Sequence, residues 1–309
     1  MEENFRNIYK AIQEADALLI GASNGLSISE GYNIFADDHW FQKDFGDFRS
    51  RYGIRNILQG LFFQYPTEES KWAFFSRLIS RKCYLEQPGP VMEDLYRLVG
   101  SKDYFIVTSN GEDHFVPAGF DRDKVFEMEG RLTQSRCQNG CGTDPYENQN
   151  EILKMAEAEK NGQIPSELVP CCSCCGGPVT VNMANSNAFF QTEQFQKKMQ
   201  DYQNFIKKYH GKRLAILELG VGWRNRMIKE PFMSLAASEP EAVYITFNKG
   251  EVYIPSAIAG KSIGVDGDIG EALVKRLSVP QTVAQMEDMP GLGQLHGAGH
   301  IVHIAVGIG

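Results

Sequence analysis

Six of the chain's seven cysteines fall between positions 137 and 175: Cys137, Cys141, Cys171, Cys172, Cys174 and Cys175. Thiols grouped in this way point to a metal, because structural zinc takes four tetrahedral ligands and usually draws two cysteines from each of two turns. Cys137 and Cys141 supply the first pair. On spacing alone either Cys171/Cys174 or Cys172/Cys175 supplies the second. Gly176 and Gly177 favour Cys172 and Cys175, since a tight knuckle takes glycine just past its second thiolate. A site closed by four protein ligands has no position left for water, so this zinc would be a staple and not a catalyst. Cys83 stands alone and reads as a buried, inert thiol.

Two other stretches carry chemistry. GASNGLSISEG, from Gly21 to Gly31, follows an apolar run, and a glycine turn at the end of a strand lets backbone amides approach phosphates. The second stretch is TSNGEDHF, from Thr108 to Phe115. The first departs from the G-x-G-x-x-G fingerprint, and the acids some twenty residues on (Asp37, Asp38, Asp44) do not sit at an obvious strand end, which disfavours a hydride-transferring dehydrogenase. Together the motifs imply a nucleotide-binding enzyme with a zinc-stapled lobe.

The elements that must position these residues follow from periodicity. Phe5, Ile8, Ile12 and Ala15 have helical spacing, and 17–20 reads as a buried strand opening into the glycine loop. Further strands are expected at 104–107, 214–219, 243–247 and 263–265, and helices at 91–99, 151–160 and 269–277. Phe195, Met199, Tyr202, Ile206 and Tyr209 form one apolar stripe on a helix, whose meaning is core packing. Helix and strand alternating in this way imply an α/β fold, a Rossmann-like doubly wound parallel sheet with a small zinc-binding domain and a helical insertion. The expected division is a discontinuous Rossmann-like domain (1–35, 91–130, 186–277), a helical insertion over the nucleotide site (36–90, with periodicity strongest from Ile54), a zinc domain (131–185) and a glycine-rich tail (278–309). His296, His300 and His303 in that tail lack acidic or thiol partners and read as solvent-facing.

Composition narrows the class. With 309 residues, 42% hydrophobic and 23% charged, the chain can bury a large core. A net charge of -8 provides no field for a polyanion, so nucleic acid is not expected as a partner. No apolar run is long enough to cross a bilayer and MEENFRNIYKAI lacks the features of a signal peptide, so the expectation is a cytoplasmic protein with no membrane partner. Clustered thiols fit such a reducing compartment.

Taken in order, these motifs resemble those of the sirtuins, and the resemblance spans roughly residues 10 to 277. The family loop G-A-G-x-S-x-x-x-G-I-P-x-F-R is matched by Gly25, Ser27, Gly31 and Phe35, with Ser23 and Asn24 in place of its first Gly-Ala. T-Q-N-x-D is matched by Thr108 and Asn110, with Ser109 and Glu112 at the other fixed positions. Glu129-Gly130 stands at the family's H-G. The resemblance assigns zinc to Cys137, Cys141, Cys172 and Cys175. It places NAD, as co-substrate, against Gly21, Ala22, Ser23, Gly25, Leu26, Ser27, Gly31 and Phe35 in the opening loop, and against Ser109, Asn110 and Glu112 in the second. Gly220, Val221 and Gly222, then Asn248, and finally Asp268 and Ile269 complete the expected cofactor contacts.

The departures bear on mechanism. Sirtuin deacylases use a histidine as general base where this chain has Glu129, and the loop's Pro and Arg are Asn33 and Ala36. These replacements are similar to the divergent macrodomain-associated (class M) branch, which implies transfer of ADP-ribose from NAD to a protein substrate, a lipoylated carrier protein among the acceptors. Asn110 and Glu129 are the expected catalytic residues. Asn110 would hold ribose hydroxyls or an ordered water, and Glu129 would serve as general base or as a counter-charge to the positive sugar carbon. The alternatives are a deacylase using Glu129 in place of histidine and a non-catalytic NAD-sensing module. His114 reads as a packing or solvent-facing residue and not as a substitute base.

Overall fold

The structure is a computed structural model that describes residues 2–141, 144–184 and 187–273. The tail with its three histidines, and the end of the helix expected to reach Leu277, lie outside the described residues. The chain runs α1 (Glu2–Glu14), β1 (Ala17–Ala22), α2 (Asn24–Ser29), α3 (His39–Tyr52), α4 (Ile57–Phe62), α5 (Glu68–Ile79), a π-helical turn (Ser80–Leu85), α6 (Pro90–Val99) and β2 (Tyr104–Thr108). There follow β3 (Val125–Glu127), β4 (Gly130–Cys137), β5 (Tyr146–Glu147), α7 (Gln149–Ala158), β6 (Val179–Met183), α8 (Asn187–Phe190) and α9 (Glu193–Lys208). The described chain closes with β7 (Leu214–Leu219), α10 (Arg226–Ser238), β8 (Val243–Phe247), β9 (Ser262–Val265) and α11 (Ile269–Ala272).

Six strands form one parallel sheet in the order β3-β2-β1-β7-β8-β9. Every residue of β1, β2 and β7 is buried, because helices cover both faces, and this is why these strands read as unbroken apolar runs. Alternate side chains serve opposite faces. Leu18 and Ile20 join Ile8, Ile12 and Leu95 on one side, while Ala17 and Leu19 join Phe205 and Phe232 on the other. The doubly wound sheet inferred from sequence is the one observed. Because β1 leads to β2 on one side and β7 lies on the other, a crevice opens at the carboxyl ends of β1 and β7, where such sheets hold their ligands.

Inside this sheet is a buried ion pair. Lys229 of α10 lies 2.5 Å from Glu218 of β7, both without meaningful solvent contact, and Glu218 also accepts hydrogen bonds from Tyr244 (2.7 Å) and Thr246 (2.8 Å). Removing one partner leaves an uncompensated charge in the core. Lys229→Ala is therefore expected to destabilise the fold by about 3–5 kcal/mol, measured as a lowered denaturant midpoint at unchanged slope. A loss below about 1 kcal/mol would place the pair among those that contribute nothing measurable.

A second lobe carries the cysteines. Strands β5-β4-β6 form an antiparallel sheet, and Cys137, Cys172, Ile152 and Val181 share one hydrophobic cluster with Phe45, Phe48, Trp72 and Phe74 of α3 and α5. Helices and cysteine strands, far apart in sequence, thus pack around a common core. The helical stretch begins earlier than its periodicity suggested. Asp38 accepts a hydrogen bond from the Phe41 amide at 2.8 Å and starts α3, and Gly53, at φ 72°, ends it. Phe41, Phe45 and Phe48 form its buried stripe. Their aromatic types carry little helix propensity, so packing against Phe74 and not local preference makes this helix.

The opening glycine segment also differs from the loop expected. Gly21 and Ala22 are the last residues of β1, and residues 24–29 wind into α2. A side chain at Gly21 would meet Phe232 and Ile228 at 2.6 and 2.8 Å, so this glycine admits α10 against the sheet. Gly25 and Gly220 are the pair that touch. A Cβ on Gly25 would lie 2.5 Å from the Gly220 Cα, and the Gly25 amide donates to the Gly220 carbonyl at 3.1 Å. Two glycine turns thereby close the floor of the crevice.

Candidate functional site

The cysteines resolve the choice that spacing left open. The sulfurs of Cys137, Cys141, Cys172 and Cys175 all lie within 4.8 Å of one another, with Cys137 to Cys175 at 3.6 Å and Cys141 to Cys172 at 3.3 Å. Those separations are too long for disulfides, and they approach the roughly 3.8 Å edge of a tetrahedron with zinc–sulfur bonds near 2.3 Å. Cys171 and Cys174 are exposed and outside the group. Gly176, at φ +67°, lets its amide donate to the Cys172 carbonyl at 2.8 Å, which makes the tight knuckle. The donor set fits structural zinc. Cys83 is buried, as expected, and burial pushes its thiol pKa well up.

At the carboxyl ends of β1 and β2 lies a cleft lined by Leu26, Ser27, Glu30, Asn110, Glu112 and His114, among others. The Asn110 amide donates to Thr108 Oγ1 at 3.0 Å and its Nδ2 donates to the Ser23 carbonyl at 3.2 Å. Those bonds fix the side chain and leave Oδ1 buried with no partner among the described residues. Ser27 donates to Glu112 across the cleft. His114 Nε2 meets the Lys82 carbonyl at 2.8 Å. A carbonyl only accepts, so Nε2 carries a proton; Nδ1, an acceptor in the neutral ring, is also buried and without a partner among the described residues. Glu30 accepts from the Gly89 amide through Oε2 at 2.8 Å, and its Oε1 is the third orphan.

Three acceptors in one cleft without a partner among the described residues call for donors from ordered water or a ligand, since a buried acceptor without a partner is costly. The cleft is acidic as well. Glu30, Glu112, Asp113 and Glu127 all line it, and Arg122 offsets Asp113 and Glu127, each at 2.5 Å. Burial, then the Asp113 charge, pushes the Glu127 carboxyl pKa upward. A ribose with its hydroxyls and a positively charged ring bearing a carboxamide –NH2 offer the donors and the charge that this cleft lacks. The residues therefore fit NAD.

The other expected contacts that follow are not among the residues lining this cleft. Ser109 donates to Ser23 at 2.9 Å. The Asn248 amide nitrogen reaches the Val221 and Glu251 carbonyls at 3.4 and 3.5 Å, tying the loop that contains Gly222. Asp268 caps α11 by accepting from the Glu271 amide at 3.0 Å, and Ile269 packs in the sheet's core. Gly31 is left-handed at φ +84°, and Phe35 is exposed.

Glu129 is not among the residues lining the cleft. It is exposed at the turn after β3, held by its carbonyl accepting from the Ala184 amide at 3.0 Å. Gly130 follows at φ +87°, where any Cβ would lie 2.0 Å from the Asn182 carbonyl oxygen, so the turn requires glycine. Loss of solvent alone moves the Glu129 carboxyl pKa, upward; its exposure to water limits that displacement. Sequence reasoning passed over Glu127, Glu30 and the bare nitrogen of His114. Only Glu127, in the phrase FEMEG beside Glu129, carried a signal; nothing in the sequence brings Glu30 to Asn110.

No family model matches the chain. A Staphylococcus aureus protein named protein ADP-ribosyltransferase is 32% identical over 86% of this chain and 85% of its own length. A Fusarium oxysporum protein named probable bifunctional ADP-ribose hydrolase/ADP-ribosyltransferase is 26% identical over 85% of this chain, which spans only 46% of that longer protein. Among solved structures, a Sir2 enzyme superposes with a TM-score of 0.55 at 16% identity, covering 90% of this chain and 97% of that one. A Sir2 homologue in complex with ADP-ribose gives 0.55 at 16%, covering 88% and 94%. The order of motifs, the doubly wound sheet with its four-cysteine lobe and the extent of the staphylococcal match lead to one conclusion: the chain has the sirtuin fold and belongs to the family of the staphylococcal protein ADP-ribosyltransferase.

Proposed function

We propose that the protein is an NAD-consuming protein ADP-ribosyltransferase, and that a lipoylated carrier protein is its acceptor. The single observation that carries the first part is the acid-lined cleft with orphaned acceptors on Glu30, Asn110 and His114. NAD supplies a nicotinamide that can leave from the ribosyl carbon. Asn110 Oδ1 accepts from a ribose hydroxyl and orients the sugar, while the His114 and Glu30 acceptors take the carboxamide hydrogens. As the bond from ribosyl carbon to nitrogen breaks, its electron pair goes with nicotinamide, and the cleft carboxylates stabilise the positive charge left on the sugar. An acceptor nucleophile bonds to that carbon and gives its proton to a carboxylate, the role that the sirtuin resemblance gives to Glu129, on the exposed turn two residues past Glu127 of the cleft. The branch and the staphylococcal relative's name support transfer over deacylation. No described helix is long and apolar enough to cross a membrane, and no disulfide forms among the described cysteines, which suits a cytoplasmic setting.

Incubation with NAD and a carrier domain, lipoylated or bare, tests this. Intact mass spectrometry should find one ADP-ribosyl group on the lipoylated form alone. Free acyl-ADP-ribose from an acylated carrier would favour the deacylase, and nicotinamide retained under every acceptor a sensing module.

Glu129→Gln separates chemistry from solvation. A working base must be ionised, so turnover should rise with pH through a carboxyl pKa above the usual value of about 4.3. The variant should lose that acid limb and most turnover. The stability effect has a defined sign. A carboxyl whose folded pKa is raised contributes stability below its unfolded pKa and loses it as pH rises through the folded value. Glu129→Gln should therefore melt slightly above the parent at pH 7 and equal to it at pH 4. Unchanged turnover and pH profile would remove Glu129 from the mechanism.

A further inference from the structure

Two residues that begin helices at the crevice leave their own helices uncapped. Ser23 precedes α2 and Asn225 precedes α10, and neither makes a side-chain capping bond, although serine and asparagine are favoured at such positions because they accept from the first-turn amides. Their side chains turn toward each other instead. Asn225 Nδ2 donates to Ser109 Oγ at 2.9 Å and to Ser23 Oγ at 3.3 Å, and Ser109 Oγ donates to Ser23 Oγ at 2.9 Å. One side chain from each of three segments, at the ends of β1, β2 and β7, meets at the point where the sheet reverses its order.

Counting hydrogens gives this cluster a direction. A hydroxyl has one proton and two lone pairs. Ser109 spends its proton on Ser23. Both lone pairs of Ser23 are occupied, by the Ser109 proton and the Asn225 amide, and its own proton is left over with no acceptor among the described residues. Ser23 is 4% exposed, so bulk water does not take it. The first strand-to-helix turn of a doubly wound sheet is also where a dinucleotide's diphosphate lies.

We propose that Asn225 is a positioning residue which, directly and through Ser109, fixes the Ser23 hydroxyl as a hydrogen-bond donor to a diphosphate oxygen of the bound dinucleotide. This rests on the reading of the cleft as an NAD site. Asn225→Asp keeps the shape and reverses the polarity: a carboxylate accepts from both serines, draws the Ser23 proton inward and sets a negative charge beside the diphosphate. Asn225→Ala removes the donor without adding charge.

Calorimetric titration with ADP-ribose, which retains the diphosphate and lacks nicotinamide, measures the effect. Both variants should bind roughly tenfold or more weakly than the parent, and Asn225→Ala should cost nothing further in a Ser23→Ala background. Thermal melting checks the fold, and if the aspartate variant does not fold the alanine variant and the double mutant decide. Unchanged affinity in the Asn225 variants, or an equal loss with and without Ser23, would overturn the assignment while leaving the NAD site intact. A parent protein that binds neither NAD nor ADP-ribose would remove the cleft reading itself, and this inference with it.

Discussion

Asn110→Ala should reduce nicotinamide release from NAD by about 10²–10³-fold, with the loss in kcat and little change in KM. The expectation follows from how the side chain is held. Its Nδ2 is tied to the Ser23 carbonyl at 3.2 Å and its backbone amide to Thr108 Oγ1 at 3.0 Å, so Oδ1 is a pre-aimed acceptor without freedom to turn. A contact that only bound the dinucleotide would raise KM and spare kcat; one that orients the ribose as the bond breaks acts on kcat. The large effect does not depend on the acceptor, because sugar positioning precedes transfer and deacylation alike. Steady-state release by the variant at the parent's rate would remove Asn110 from the mechanism.

The second large effect concerns the metal. Cys172→Ser should abolish stoichiometric zinc and unfold the small lobe. Structural zinc in small peptides binds with apparent free energies of about 10–16 kcal/mol, comparable to the whole stability of a domain. Cys137 and Cys172 belong to the same hydrophobic cluster as Trp72, Phe45 and Phe74, so releasing the metal exposes a core shared with the helices. Cys171→Ser and Cys174→Ser provide the contrast, since both side chains are exposed and outside the sulfur group; they should keep zinc and melt with the parent. Metal analysis alongside circular dichroism distinguishes the cases, and a folded, zinc-loaded Cys172→Ser protein would refute the ligand set.

Much of the sheet was legible because parallel strands buried on both faces are continuous apolar runs; the segments 214–219 and 243–247 match their strands residue for residue. Val125–Glu127 was not legible, since three residues bounded by charges carry no periodicity. The helix α3 falls inside the helical insertion expected over 36–90, but its bounds were not legible, because packing overrides propensity there. Within the site, motif order pointed to Ser27, Asn110 and Glu112, which the structure brings into one cleft. Glu30, His114 and Asn225 become visible only in three dimensions. Their significance lies in which atom lacks a partner or which helix is left uncapped, and no linear pattern encodes either. Gly21, expected at the cofactor, ends β1, and its bare Cα accommodates Phe232.

The central claim is that this cleft holds the cationic nicotinamide end of NAD among carboxylates. Calorimetric titration of the zinc-loaded protein with oxidised and reduced coenzyme tests it directly, because the two differ chiefly in the ring's positive charge. The oxidised form is predicted to bind more tightly, by roughly tenfold or more. Equal affinity, preference for the reduced form, or no heat with either would contradict it.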